Sequence, residues 1–225
     1  MHYLRLALLA EGTSDHLFLP VVLRRLTIDL CATHAQRQVE VEDEVLDLTA
    51  LRIASREPEN RTERVQNILL EVGGTFNVLF IHADGGSDPE NARITQFNPL
   101  ALWMSQQSEF GASRSVAVIP VREMEAWTLM DGEALRNAFG TVLEDSDLGL
   151  PAKPRDVEGI VDPKRSLEDA YSKVLGRRRR RKEKTTNFFS AIAERVRLDC
   201  LRQAGAFQEL ERDLRDALTH LGYFR

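Results

Sequence analysis

A chain of 225 residues with 43% hydrophobic and 29% charged content can fill a proper core, and it suits one α/β domain with at most a small helical addition. A net charge of −5 excludes a generally basic nucleic-acid-binding surface and leaves room only for a local exception. Cys31 and Cys200 offer neither a metal-ligand spacing nor a disulfide framework, no apolar run approaches the roughly 20 residues of a membrane helix, and the start of the chain lacks the pattern of a signal peptide. The expected setting is the cytoplasm.

Residues 3–10 carry a continuous apolar run that ends in Glu11-Gly12-Thr13-Ser14-Asp15. Such a run, closed by Gly and Asp, reads as a strand buried on both faces. The turn leads into a helix in which Leu17, Val21, Val22, Leu26 and Leu30 recur at helical spacing. Thr13 or Ser14 is the expected cap, Asp15 favours the positive end of the helix, and Pro20 falls early enough to be tolerated. Residues 36–60 are polar, with a weak strand candidate at 45–51. A helix is expected over 60–72, with Val65, Ile68, Leu69 and Val72 inward and Gly73-Gly74 closing it.

Residues 76–83 form the expected central strand, which runs into Asp84-Gly85-Gly86-Ser87-Asp88-Pro89, a sequence that can only be a loop. Residues 100–107 read as helical. A third apolar strand at 115–121 again meets acid at Arg122-Glu123-Met124-Glu125, and a helix is expected from Glu123 to about Asp131-Gly132. Strands alternating with helices predict a mainly parallel sheet covered by helices, with all three acidic strand ends on one rim. Residues 1–140 make up this domain. Residues 141–163 hold Pro151, Pro154 and Pro163 without periodicity and read as a loop, and the rest of the chain is helical throughout. Residues 141–225 are therefore an extension on or beside the domain.

The acids Glu11, Asp15, Asp84, Asp88, Glu123 and Glu125 are candidate ligands for Mg2+ or Mn2+, because hard cations take clustered oxygen donors. Packed carboxylates repel one another and persist where a cation or a functional demand offsets the repulsion. Acids at loop starts also serve as plain solvated caps. Three strand ends of the same kind favour a site, since this fold brings them together. The run 177–182 (Arg177, Arg178, Arg179, Arg180, Arg181, Lys182) together with Lys184 places seven positive charges within eight residues. It reads either as a solvated loop or, given the acidic rim, as a phosphate-backbone contact. Lys164 and Lys173 are candidates for stabilising a phosphoryl-transfer transition state. His82 inside its apolar strand reads as a satisfied core histidine, His16 beside the acidic loop is open, and Trp103 and Trp127 read as packing residues.

The apolar strand ending in Glu11-Gly12 and Asp15, followed by a strand ending in an Asp cluster, resembles the Toprim domain of topoisomerases, bacterial primases and the overcoming-lysogenization-defect nucleases. Arg122-Glu123-Met124-Glu125-Ala126-Trp127 with Asp131, then Asp162-Pro163-Lys164-Arg165 and Tyr171-Ser172-Lys173, resemble the prokaryotic family called domain of unknown function 4276, a Toprim-like group found near ATPases in phage-defence neighbourhoods. The resemblance implies a Toprim-like sheet. It makes Glu11 the acid–base or metal-ligating glutamate and Asp84 the first aspartate of an Asp-x-Asp pair; Lys164 is the catalytic cation candidate that the residues themselves offer. Gly86 stands where the pair has its second aspartate. The implied activity is a Mg2+- or Mn2+-dependent nuclease acting on DNA or RNA. The alternative is a degenerate module that binds nucleic acid or an ATPase partner.

Overall fold

A computed structural model describes residues 2–10, 12–51, 61–176 and 185–225. The first apolar run divides at Arg5 into β1 (His2–Leu4) and β2 (Leu6–Leu9). Asn77 causes the division: its side-chain Oδ1 accepts from the Arg5 N–H at 2.9 Å, while the Arg5 carbonyl accepts from the N–H groups of Asn77 and Val78. β1 pairs in parallel with β3 (Val39–Val41), a short strand within the segment expected to be merely polar. The weak candidate at 45–51 contracts to β4 (Leu46–Asp47).

β4, β2, β5 (Val78–His82) and β6 (Arg114–Val118) lie in that order in an all-parallel sheet. Alternation along each strand sorts the side chains between two faces. Leu6, Leu8, Val78, Phe80, Val116 and Val118 enter one apolar cluster, and Ala7, Leu79, Ile81 and Ala117 enter the other. The first face is covered by α1 (Thr13–His34) and α11 (Gly205–His220), whose buried Leu19, Leu23, Leu26, Phe207, Leu210 and Leu214 pack on it. The second is covered by α2 (Arg61–Glu71) and α4 (Asn98–Ser105) through Ile68, Leu69 and Met104. Each fully buried Leu or Phe contributes about 1.5–3 kcal/mol, so both layers are firmly held.

After β5 come α3 (Pro89–Ala92) and a π-helical turn, Arg93–Phe97, before α4. The helix expected from Glu123 to Asp131 is shorter than its apolar content suggests. Only α5 (Glu125–Thr128) forms there, and a second helix, α6 (Gly132–Phe139), begins where the expected one should end. Asp131 is the reason. Its side chain accepts from the N–H groups of Glu133 and Ala134, which starts a new helix at that point. The expected loop at 141–163 contains α7 (Asp145–Leu148) and a 3-10 turn at Pro154–Gly159.

The remaining chain is helical as the pattern requires: α8 (Pro163–Leu175), α9 (Phe189–Arg195), α10 (Leu198–Leu201) and α11. One apolar cluster runs without a break from Leu4 and Phe80 to Phe189, Phe207 and Leu218, so the C-terminal helices share the core of the sheet. Among the described residues no helix is long and apolar enough to cross a membrane.

Candidate functional site

The strand order reverses direction at β2: the chain steps from it to β4 on one side, then across to β5 on the other. In an open parallel sheet the crevice outside the carboxyl ends of two such strands is where ligands bind. The Gly12–Asp15 turn and the 84–88 loop leave from these two ends, and β6 delivers the 119–125 segment beside them.

Asp15 lies in the first turn of α1. Gly12, rather than Thr13 or Ser14, is the residue at the cap, and Asp15 Oδ2 reaches back to accept from its N–H at 2.8 Å. That places the carboxylate, 7% exposed, under the end of β5. There His82 Nε2 stands 3.4 Å from Asp15 Oδ2 and 3.6 Å from Asp84 Oδ1. His82 Nδ1 is 2.9 Å from the Val118 carbonyl. Both ring nitrogens thus face groups that only accept, an arrangement that makes the ring an imidazolium. Burial pulls its pKa down, but the carboxylates of Asp15 and Asp84 beside the ring overcome it and raise the value to about 9. Burial raises the Asp15 pKa, and the same His82 contact outweighs it, so the carboxylate ends below its ordinary value.

His82 is thus the satisfied buried histidine that its apolar strand suggests; what the sequence reading lacked is its partners, Asp15 and Asp84. The signal was in the alternation: residues 78, 80 and 82 share a face of β5, and Val78 and Phe80 there pack in the cluster that α1 covers. Residue parity would have paired His82 with the acid in the first turn of α1.

Glu125, 6% exposed, has its pKa raised by burial and by the charges of Glu123 and Asp15, with Ser14 beside it pulling the other way. The Glu123 pKa is raised by its partial burial and by Asp84 and Asp162, while Lys164 lowers it. Asp15, Asp84, Glu123 and Glu125 thus act on one another at the rim, and Lys164, in the first turn of α8, reaches the same cluster. Asp88 does not join it. Its Oδ1 caps α3 by accepting from Asn91 N–H at 3.0 Å, and no interaction links it to the other acids among the described residues. Lys173, two and a half turns along α8 from Lys164, lies instead against Gly149. Glu11 and the basic run 177–182 lie outside the described residues. His16 Nδ1 stands 3.0 Å from Asp47 Oδ2 but out of hydrogen-bond line.

The loops after β5 and β6 are stitched together by backbone. Gly85 N–H donates to Pro120 O at 3.0 Å, and Gly86 and Arg122 exchange both bonds at 3.1 and 2.8 Å. A side chain at 85 would put its Cβ 2.4 Å from the Pro120 carbonyl, and Gly86 sits at φ +54°. Arg122 holds φ 67°, a strained value for a residue with a side chain, and its guanidinium forms no ion pair among the described residues. Strain of this kind is kept where neighbours enforce it, often at working sites. No pattern in the sequence signals it.

The family model described as Domain of unknown function (DUF4276) matches residues 10–215. The chain belongs to this family. No curated protein and no solved structure matches it. The match takes in Asp15, His82, Asp84, Glu123, Glu125 and Lys164, so the whole rim is family material rather than a peripheral addition.

Among the described residues no three Asp, Glu, His or Cys side chains are close enough to hold a metal ion. The donor chemistry still suits a hard cation. All the acids offer oxygen, and two of them, Glu123 and Glu125, have raised proton affinity, through burial first and through their acidic neighbours second. Glu11, four residues before Asp15, is the sequence candidate to complete such a set.

Proposed function

We propose that the chain is a Mg2+- or Mn2+-dependent nuclease, or a related phosphodiester-processing enzyme, of a prokaryotic phage-defence system. The observation that carries this reading is the meeting of Asp15, Asp84, Glu123 and Glu125 at the switch point of a parallel sheet, where their charges act on one another. The resemblance to Toprim domains supports the same reaction class. Glu11, Asp84 and one or more of Asp15, Glu123 and Glu125 would hold the cation, which would supply charge neutralisation at the phosphate oxygens. Glu11 is the residue for proton transfer. Lys164, already beside Glu123, would stabilise negative charge developing on the phosphate. The basic run 177–182, with Lys173, would track the nucleic-acid backbone, and the setting is cytoplasmic.

The test is cleavage of DNA and RNA in Mn2+ by the wild-type chain, by Glu11→Gln and by Asp84→Asn. Loss of cleavage in both variants, with folding unchanged, is the expected result. Cleavage that persists in Glu11→Gln at the wild-type rate would remove the assignment. A melting shift with Mn2+ that Asp84→Asn abolishes would identify Asp84 as a ligand.

A second reading has its own observations. Gly86 stands where the Toprim pair has an aspartate, and the His82 imidazolium already offers Asp15 and Asp84 a positive charge. Both suit a module that needs no catalytic cation and instead binds nucleic acid or an ATPase partner. Unchanged melting in Mg2+ and Mn2+, together with no cleavage, would favour it.

A further inference from the structure

A cavity of about 520 Å3 opens on the α2 and α4 side of the sheet, at the carboxyl ends of the same two strands. Its inner end is formed by Leu9, Ala10, Ile81 and His82, so it starts where the acidic rim stops. This volume is in the range of small-molecule pockets. Its chemistry differs sharply from that of the rim. Among the described residues that line it there is no Asp or Glu, and the one permanent charge is that of Arg64. Arg64 is exposed and forms no ion pair among the described residues.

We propose that this cavity takes the base and sugar of a single unstacked nucleotide, whose phosphate then lies toward the acidic rim. The proposal rests on the phosphodiester-processing reading and adds to it the form of the substrate. Ile68, Ile81 and Leu100 supply apolar walls for a ring. Gln66 and Gln96 each carry one donor group and one acceptor, the complement of a base edge, and neither amide has a recorded partner among the described residues. Among the described lining residues, Arg64 and the His82 imidazolium provide positive charge for an anion entering this side. A purely apolar ligand would leave both amides and the guanidinium without a role. A sugar alone would leave the aliphatic walls without one.

The π-helical turn Arg93–Phe97 is a second, independent mark. Such turns are rare and concentrate at functional sites, and here two of its residues, Thr95 and Gln96, line the cavity. The turn is anchored from behind. Arg93 pairs with Asp213 of α11 at 2.8 Å and lies over the Phe97 ring. Its cavity side is thus presented on a fixed support. Enzymes that act on single nucleotides or on loops commonly splay a base out of the stack and hold it by its edges and faces.

The experiment uses the full chain in EDTA and measures binding of adenosine, guanosine, cytidine, uridine and ribose by ligand-observed NMR. Nucleosides carry no phosphate, so the result does not depend on the rim or on any cation. At least one nucleoside should bind where ribose does not. Gln66→Ala and Gln96→Ala should each weaken it about fivefold, the loss of roughly one hydrogen bond. Both positions are at least partly exposed, so these variants should fold. Arg64→Ala should leave nucleoside binding unchanged and weaken the corresponding 5′-monophosphate. If no nucleoside binds better than ribose, or if neither glutamine variant changes binding, the proposal is overturned. Nucleoside binding by a chain that cleaves nothing would retain the pocket and remove the catalytic reading. Cleavage lost in Glu11→Gln by a chain that binds no nucleoside would retain catalysis and remove the pocket.

Discussion

The His82 imidazolium makes the stability of the metal-free protein depend on pH in a defined window. In the unfolded chain the ring titrates near 6.5, and in the fold near 9. A raised pKa stabilises the fold fully below the unfolded value, and that stability is lost as pH rises through the folded one. The difference of about 2.5 units corresponds to roughly 3 kcal/mol, at 1.36 kcal/mol per unit. Asp15 reports the same contact from its other end and adds nothing more in this window. Its lowered pKa protects the fold on the acid side and fails only as pH drops below about 3.9. The assay is urea unfolding in EDTA at intervals from pH 6 to 10, with wild type compared to His82→Gln. Burial also raises the Cys31 thiol to about 11, which adds a loss above pH 8.5 in both proteins, and the difference profile cancels it. The advantage of wild type should shrink by about 3 kcal/mol across the window, equivalent to roughly 6–12 °C in melting temperature for a chain of this size. Parallel profiles would show that His82 is neutral in the fold and would dissolve the pair as described.

Arg197→Ala should cost about 3 kcal/mol, because Asp131, 1% exposed, would lose the two guanidinium bonds of 2.9 and 3.0 Å and remain a buried charge. Arg197→Lys should recover little of this, since one ammonium cannot replace a two-pronged contact; a urea midpoint shift under 1 kcal/mol for Arg197→Ala would show the pair to be incidental. Gly85→Ala should destabilise by about 1–3 kcal/mol in thermal melts, since its Cβ meets the Pro120 carbonyl, and a stabilised variant would mean that the bridge between the two loops does not form in solution. Replacing Arg178, Arg179 and Arg180 with Ala should weaken nucleic-acid binding for all sequences and flatten its salt dependence by about one log–log unit per lost phosphate contact. An unchanged slope would return the run to ordinary surface.

The parallel sheet was legible because its signals are long and redundant. Three apolar runs, each ending in Gly or acid, and the helical spacing after the first of them, allow few other folds. What stayed hidden was set by single side chains acting at a distance. Asn77 divides the first run at Arg5, and Asp131 ends α5 and starts α6, yet neither differs in type from dozens of surface polar residues. β3 was hidden for a related reason. Three residues paired with β1 are too few to show a period.

The site divides the same way. Asp15, Asp84, Glu123, Glu125 and Lys164 could be chosen from their places at strand and helix ends, and the fold brings them to one rim. Asp88 had the same credentials, but the Pro89 that follows it starts a helix, and the carboxylate is taken up in capping it. The departure at Gly86 also acquires a physical cause. That residue exchanges both backbone bonds with Arg122 while holding a positive φ, and Gly85 before it has no room for a Cβ. Glycine takes that backbone at no steric cost, whereas a side chain at 86 would be strained although the space around it is open. This loop is the clasp between the β5 and β6 ends. The other acids of the rim stand on the segment after β6, at the start of α5 and in the first turn of α1, as Glu123, Glu125 and Asp15.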